Sequence, residues 1–275
     1  STFPVFRRPA QPMRHWILAE TNYGHVRDNG YDVAVLPLGA TEPHNLHLPY
    51  GTDIFEASQI AANAAEDATN RGGRVVVLPT IPYGTQTNQH AFPLAMNLYP
   101  STLGRVISDL VESVHRAGIS KLLILNSHGG NELKSVLREL VGGPVHLFLC
   151  DWFRSISADV QAELFQDPGD HAGEMETALA LAYFPDLVAH DPESGRLTAD
   201  DGAVRSTRFD AVNNGWISIT RPWHLLTTNT GVGNPHPATA ESGRQLMATL
   251  VERLSGFLVE LGEADVDDTF PYPSA

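Results

Sequence analysis

Four short apolar runs limit most strongly how this chain can fold. Val33 to Leu38, Arg74 to Leu78, Leu122 to Leu125 and Val145 to Cys150 are almost continuous in Val, Leu and Ile. A strand with no polar side has no face to give to water. Such runs belong in a parallel sheet covered on both sides. Helical periodicity alternates with them. Between Thr102 and Ala117, Leu103, Val106, Ile107, Leu110, Val111 and Val114 recur three and four residues apart and form one apolar stripe. Ser101 stands where a capping hydroxyl would sit. Asp53 to Thr69 and Asn131 to Val141 repeat the pattern. Ala238 to Leu261 reads as a long closing helix with Leu246, Leu250, Leu254, Phe257, Leu258 and Leu261 inward. The alternation predicts an α/β domain with a mostly parallel sheet between helical layers. No linker or repeat divides the chain, so one domain over 1–275 is expected. The polar stretch from Pro185 to Arg221 is expected to be loop and peripheral structure.

Composition removes several classes of function. The chain has 18 Lys and Arg against 32 Asp and Glu, a formal charge of -14. Phosphate binding needs a basic face, so nucleic acid is a poor partner. Carboxylates are left over to bind cations. No segment approaches the ~18 consecutive apolar residues of a membrane span, and Ser1 to Arg14 has no apolar core of a signal peptide. The single cysteine, Cys150, excludes an internal disulfide and a cysteine-rich metal cluster. It ends the run His146-Leu-Phe-Leu-Cys150 and reads as a buried strand residue, with the reducing cytoplasm as its setting. The serine-hydrolase elbow, the His-Glu-x-x-His helix and the Gly-x-x-x-x-Gly-Lys phosphate loop do not occur.

Ligands of parallel α/β sheets bind beyond the carboxyl ends of the strands. Glu42, His44, His47 and Asp53 follow the first run, and Tyr83 and His90 the second. His128 follows the third, and Asp151 and Trp152 the fourth. Imidazoles and carboxylates are therefore concentrated where a site belongs. In extended chain Glu42 and His44 point the same way, and carboxylate oxygen with imidazole nitrogen suits zinc, manganese or iron. The plainer reading is a polar surface loop with Asp53 capping a helix. In Asn126-Ser-His-Gly-Gly-Asn131, glycines let backbone approach a ligand closely. A following helix start would offer free N–H groups near Gly129 and Gly130. In Asp170-His-Ala-Gly-Glu-Met-Glu-Thr177, His171 and Glu174 are three apart and would share a helix face. Glu176 would point elsewhere.

These segments resemble the signature regions of the creatininase family. That pattern is Glu-x-His-Gly-x-His-Leu-Pro-x-x-Thr-Asp, then Asn-x-His-Gly-Gly-Asn, then His-Ala-Gly-Glu-x-Glu-Thr. A fourth match is Gly231-Val-Gly-Asn-Pro235 with Ala238-Thr-Ala-Glu-x-Gly243. The resemblance implies a three-layer α/β/α sandwich and two divalent metal ions, zinc or alternatively manganese or iron. It implies that Glu42, Asp53 and His128 hold one ion and His44, Asp53 and Glu174 the other, with Asp53 bridging. It also implies a homo-oligomer, by analogy a hexamer. The chain departs from the pattern at Gly130, where true creatininases carry Glu, and Glu174 is expected to supply that carboxylate. Pro43, Asn45 and Leu46 replace Gln, Gly and Pro. Pro93-Leu-Ala replaces Pro-Gly-Thr. A small-molecule substrate other than creatinine is expected.

The expected chemistry is attack of a metal-generated hydroxide on a carbonyl of a small, cyclic amide. His171, with Glu174 in the catalytic set, would protonate the leaving group. His47 and His90 are assigned to the pocket or its support, not to direct ligation, and Gly129 and Gly130 to its wall. Trp152 is either an apolar wall of the pocket or a packing residue. Two other readings stand beside this one. In the first, the same site opens a cyclic polyol diketone such as 3-dehydro-scyllo-inosose by C–C hydrolysis. In the second, a degenerate member binds without catalysis.

Overall fold

The computed structural model describes residues 13–273. Its strands are β1 (Val33–Leu38), β2 (Val75–Val77), β3 (Lys121–Asn126) and β4 (His146–Asp151), all parallel in the order β2-β1-β3-β4. The helices are α1 (Tyr23–Asn29), α2 (Thr52–Asn70), α3 (Pro100–Arg116), α4 (Lys134–Glu139) and α5 (Ala158–Leu164). They continue as α6 (Glu174–Tyr183), α7 (Asp210–Asn213), α8 (Trp223–Leu226) and α9 (Ala240–Glu263).

Strand alternation sends side chains to both faces of the sheet. Val33, Val35, Leu123 and Leu125 meet α2, α6 and α9 on one face. Ala34, Leu36, Leu122 and Ile124 meet α3 and α4 on the other. The result is the expected three-layer α/β/α sandwich. Every residue of β1 and β3 is buried, which is why these strands contain no alternation of polar and apolar residues.

Two local expectations are revised. α3 starts at Pro100, with Tyr99 and not Ser101 as its cap, because proline at the first helical position already has the required φ and needs no hydrogen-bond partner. α4 starts at Lys134, not Asn131, because Asn131 is committed to a turn through its N–H to the His128 carbonyl, 3.1 Å. The stretch from Pro185 to Arg221 is mostly irregular, as expected, with α7 and one short 3-10 turn in it. No helix among the described residues is long and apolar enough to cross a membrane.

α6 and α9 cross in close contact. At Gly243 a Cβ would overlap the Ala178 carbonyl oxygen, a backbone atom that cannot rotate away. Gly243→Ala should therefore cost about 3 kcal/mol or more and lower the melting temperature by about 6 °C or more. A circular dichroism melt checks this. An unchanged melt would mean that the two helices separate easily, which the buried Leu246 and Leu179 argue against.

Candidate metal centre

The chain leaving β1 is folded tightly over the start of α2. A Cβ at Gly39 would lie 2.7 Å from the Ile54 nitrogen and 2.8 Å from the Asp53 carbonyl carbon. Glycine thus lets the first turn of α2 press against the strand end and delivers Asp53 there. Glu42 and His44 lie on the loop between. That loop is tied to distant chain through Asn45, which has a positive φ of 53°. Its N–H donates to Thr230 Oγ1, 2.8 Å, and its amide to Asp200, 3.0 Å. His128 leaves β3 on a turn stapled by two asparagines. Asn126 donates to the His128 carbonyl, 2.9 Å, and Asn131 donates to Asn126 Oδ1, 3.0 Å.

Three overlapping groups of ligand atoms result: Glu42 with Asp53 and His128, His44 with Asp53 and Glu176, and Glu42 with His44 and His171. Hydrogen bonds on the outer side of each ring fix which nitrogen faces inward. His44 Nδ1 lies 3.0 Å from the Glu42 carbonyl, His128 Nε2 2.9 Å from the Thr85 carbonyl, and His171 Nε2 2.8 Å from the Pro43 carbonyl. A carbonyl can only accept, so in the neutral rings these nitrogens carry the hydrogen. The opposite nitrogens then present lone pairs to carboxylates. His44 Nε2 meets Asp53 Oδ1 at 3.0 Å, and His128 Nδ1 meets Glu42 Oε1 at 2.9 Å and Asp53 Oδ2 at 3.0 Å. Neither Glu42 Oε1 nor Asp53 Oδ2 has a hydrogen bond of acceptable geometry. Lone pairs facing buried oxygens are stable only around positive charge, and a backbone-oriented imidazole is the usual support for a metal ligand. The residues fit a pair of divalent cations.

The electrostatics agree. Burial disfavours an imidazolium at His44, yet the adjoining Asp53, with Glu176 and Glu42, lifts it to about 10. His128 is raised in the same way, against burial, by Glu42 and Asp53. Burial pushes Glu176 up to about 7, helped by Asp53 and Glu42 and opposed by His44. Without a cation the cluster must take up protons; a divalent ion would release them.

One expected ligand is replaced. Glu174 lies in none of the three groups; its Oε2 accepts from the Gln166 and Asp167 N–H groups at 2.9 and 3.2 Å. The glutamate that lies beside His44 and Asp53 is Glu176. The reason is the helix start. Ala172 has a φ of 51° and α6 begins only at Glu174, while His171 is held extended by two hydrogen bonds with Val232. His171 and Glu174 are therefore not on one helix face. Two residues of helix turn the chain by about 200°, so Glu176 turns toward the histidines while Glu174, itself buried, turns away from them to the Gln166 and Asp167 N–H groups.

His171 reaches the centre, with Nδ1 3.7 Å from Glu42 Oε1, and its ring lies 4.0 Å from His44. Gly129 and Gly130 line a cleft of about 480 Å³. There is no helix start beside them to bind an oxyanion. A Cβ at Gly130 would overlap the Thr85 carbonyl oxygen, so no carboxylate side chain fits at that position. Trp152 packs in the core and donates to Ser127 Oγ, 2.8 Å; Phe153 and Arg154 line the cleft instead. His90 is exposed and outside the cleft.

His47 is buried behind the centre, 2.8 Å from Thr177 Oγ1. Burial, with charge from His44, pushes its imidazole down to about 3. The folded protein then binds fewer protons at His47 than the unfolded chain does. This residue's stabilisation is complete above about pH 6.5 and is lost as pH falls toward 3. Melting curves across that range should fall more steeply for wild type than for His47→Gln; parallel curves would contradict a buried neutral imidazole.

Several residues enter without a motif to announce them. Gln89 donates to Glu42 Oε2. Glu56, one turn beyond Asp53, is buried, accepts from Ser127 Oγ at 3.2 Å and is pushed well up by burial and by the charges of Glu176 and Asp53. Arg221 and Trp223 arrive from the far end of the chain to line the cleft.

A covered parallel sheet with paired carboxylate–imidazole groups at its carboxyl edge defines a metal-dependent hydrolase class. The creatininase family profile, described as creatinine amidohydrolase, matches residues 19–258, and the chain belongs to that family. A solved Bacteroides fragilis protein, described as a candidate creatinine amidohydrolase, superposes with a TM-score of 0.83 at 35% identity, over 92% of this chain and 99% of that one. The mycofactocin precursor peptide peptidase of Mycobacterium ulcerans is 27% identical over 79% of this chain and 81% of its own length. Solved creatininases in a manganese form and a Zn–Zn form share the fold, with TM-scores of 0.69 and 0.68 at 20% identity. Each match covers 90% of this chain, and 99% and 98% of theirs.

Proposed function

We propose that this protein hydrolyses a C–N bond in a small, cyclic amide. Glu42, Asp53 and His128 would hold one divalent cation and His44, Asp53 and Glu176 a second. The observation that carries this reading is that each imidazole has one nitrogen hydrogen-bonded to a backbone carbonyl on the outer side and the other turned toward buried carboxylates. Zinc, manganese and iron all suit such nitrogen and oxygen donors. Bound there, the cations would acidify water and polarise a carbonyl.

The chain's own residues do the rest. Burial pushes His171 down to about 4, with His44 adding to the effect, so its imidazole is neutral near pH 7. Its Nε2 faces the Pro43 carbonyl, so in the neutral ring Nδ1 is the basic nitrogen, 3.7 Å from Glu42 Oε1, and the residue lines the cleft. His171 Nδ1 therefore takes a proton from the attacking water and passes it to the leaving nitrogen. Trp223 stands edge-on to His171 at 4.7 Å and limits water beside it. Gln89 holds Glu42 in place. The cleft volume suits a small molecule.

The test combines metal analysis with a substrate panel of cyclic amides, N-formyl compounds, short peptides and an inositol-derived cyclic ketone. About two metal ions per chain and release of an amine would support the proposal. Opening of the ketone alone would move the activity to C–C hydrolysis. Protein that stays metal-free after reconstitution would be a binding protein. His171→Ala should keep its metal and lose turnover by about 10²-fold or more; full activity would remove His171 from the mechanism.

We also propose a homo-oligomer in the cytoplasm. One segment exposes Phe209, Trp216, Ile217, Ile219 and Leu225, an apolar surface of the kind that subunits cover. Light scattering would check the assembly.

A further inference from the structure

The inner end of the cleft is acidic, with Glu42, Asp53 and Glu176, but its lining also includes two guanidinium groups. Arg154 comes from just beyond β4, and Arg221 from just before α8. The carboxylates Glu42, Asp53 and Glu176 belong to the candidate metal centre, so away from it the charged lining is these two cations and Asp170. Each rests on an aromatic ring. Arg154 Cζ is 5.6 Å from the Phe153 ring centre and Arg221 Cζ is 5.7 Å from that of Trp223. Trp223 in turn touches His171, so Arg221 stands two ring contacts from the reacting end.

Both groups have donors to spare. Arg221 Nη2 donates to Asp170 Oδ2, 2.8 Å, and its Nε and Nη1 make no hydrogen bond among the described residues. Arg154 has only a 3.5 Å approach of Nε to Asp151 Oδ2 and no side-chain hydrogen bond among the described residues. Both arginines are about half exposed or more, and ion pairs of that kind are readily exchanged or shared. A planar guanidinium with free donors matches a carboxylate or phosphate in shape and charge.

We propose that the substrate carries an oxyanion group, a carboxylate or a phosphate, gripped by Arg221 and Arg154 while its amide carbonyl reaches the His128 and His171 end. This rests on the hydrolase reading and names the substrate class for it. The two guanidinium groups also give an acidic protein a local attraction for an anion that its net charge would repel.

Isothermal titration of the metal-loaded protein tests this with three probes: N-acetylglycine, N-acetylethanolamine phosphate and the neutral N-acetylglycinamide. Wild type should bind at least one anion roughly tenfold more tightly than the neutral amide. Which anion it prefers separates carboxylate from phosphate. In Arg154→Gln/Arg221→Gln the preference should vanish while the neutral amide binds as before, and Arg221→Gln alone should lose part of it. Equal binding of all three probes, no binding of either anion at millimolar concentration, or a preference that survives in the double variant would overturn the proposal. In the last case the cations themselves hold the anion. Metal content and turnover are measured separately. Arginine-dependent anion binding by protein that holds no metal would defeat the hydrolase reading alone.

Discussion

Asp53→Asn is expected to empty both cation positions at once. Its two oxygens face different histidines, Oδ1 toward His44 at 3.0 Å and Oδ2 toward His128 at 3.0 Å. Glu42 also groups with both histidines, but Asp53 is the carboxylate that places one oxygen 3.0 Å from each ring. An amide keeps the shape of the side chain but removes the charge and turns one oxygen into a donor. Metal analysis should fall from about two ions per chain to well below one. Turnover should fall by about a thousandfold, since cation stabilisation of a transition state amounts to several kcal/mol. A variant that keeps both ions would show that Asp53 is not the bridge and would undo the whole site.

The two glutamates of α6 provide the second test, because they should behave oppositely. Glu176→Gln should lose the ion held with His44 and reduce turnover by about 10²-fold or more, with little change in the melt. Glu174→Ala should keep both ions but lower stability. It leaves the Gln166 and Asp167 N–H groups without their acceptor, at a cost of about 1–3 kcal/mol, or roughly 2–12 °C in melting temperature. Metal loss from Glu174→Ala with none from Glu176→Gln would restore the ligand set expected from sequence and reject the one argued from geometry.

That pair also marks where sequence reading reached its limit. A three-residue spacing puts side chains on one face only if both residues are helical. Ala172, at a φ of 51°, and the backbone pairing of His171 with Val232 exclude His171 from α6. Neither fact has a local signature, since Val232 lies 61 positions away along the chain. β1, β2 and β3 were legible because both faces are covered and the covering calls for apolar residues, and the half-buried edge strand β4 because Leu147, Phe148, Leu149 and Cys150 still pack on both helical layers. Glu42, His44, Asp53 and His128 were legible because each lies on the chain between a strand end and the first turn of the next helix. Gln89, Arg221 and Trp223 were not, because loops that fold over a site carry no periodicity.

Sequence alone determined the layered α/β architecture, the strand ends at which ligands gather, and five of the residues that meet there. Hydrophobic patterning and chain order are local properties, and they suffice for that much. The tertiary structure alone decided which glutamate of α6 faces inward, which ring nitrogen of each histidine is free, and which arginines overlook the cleft. Those outcomes depend on carbonyls at Thr85 and Pro43 and on the Val232 pairing, contacts between segments that are neighbours only in the folded protein.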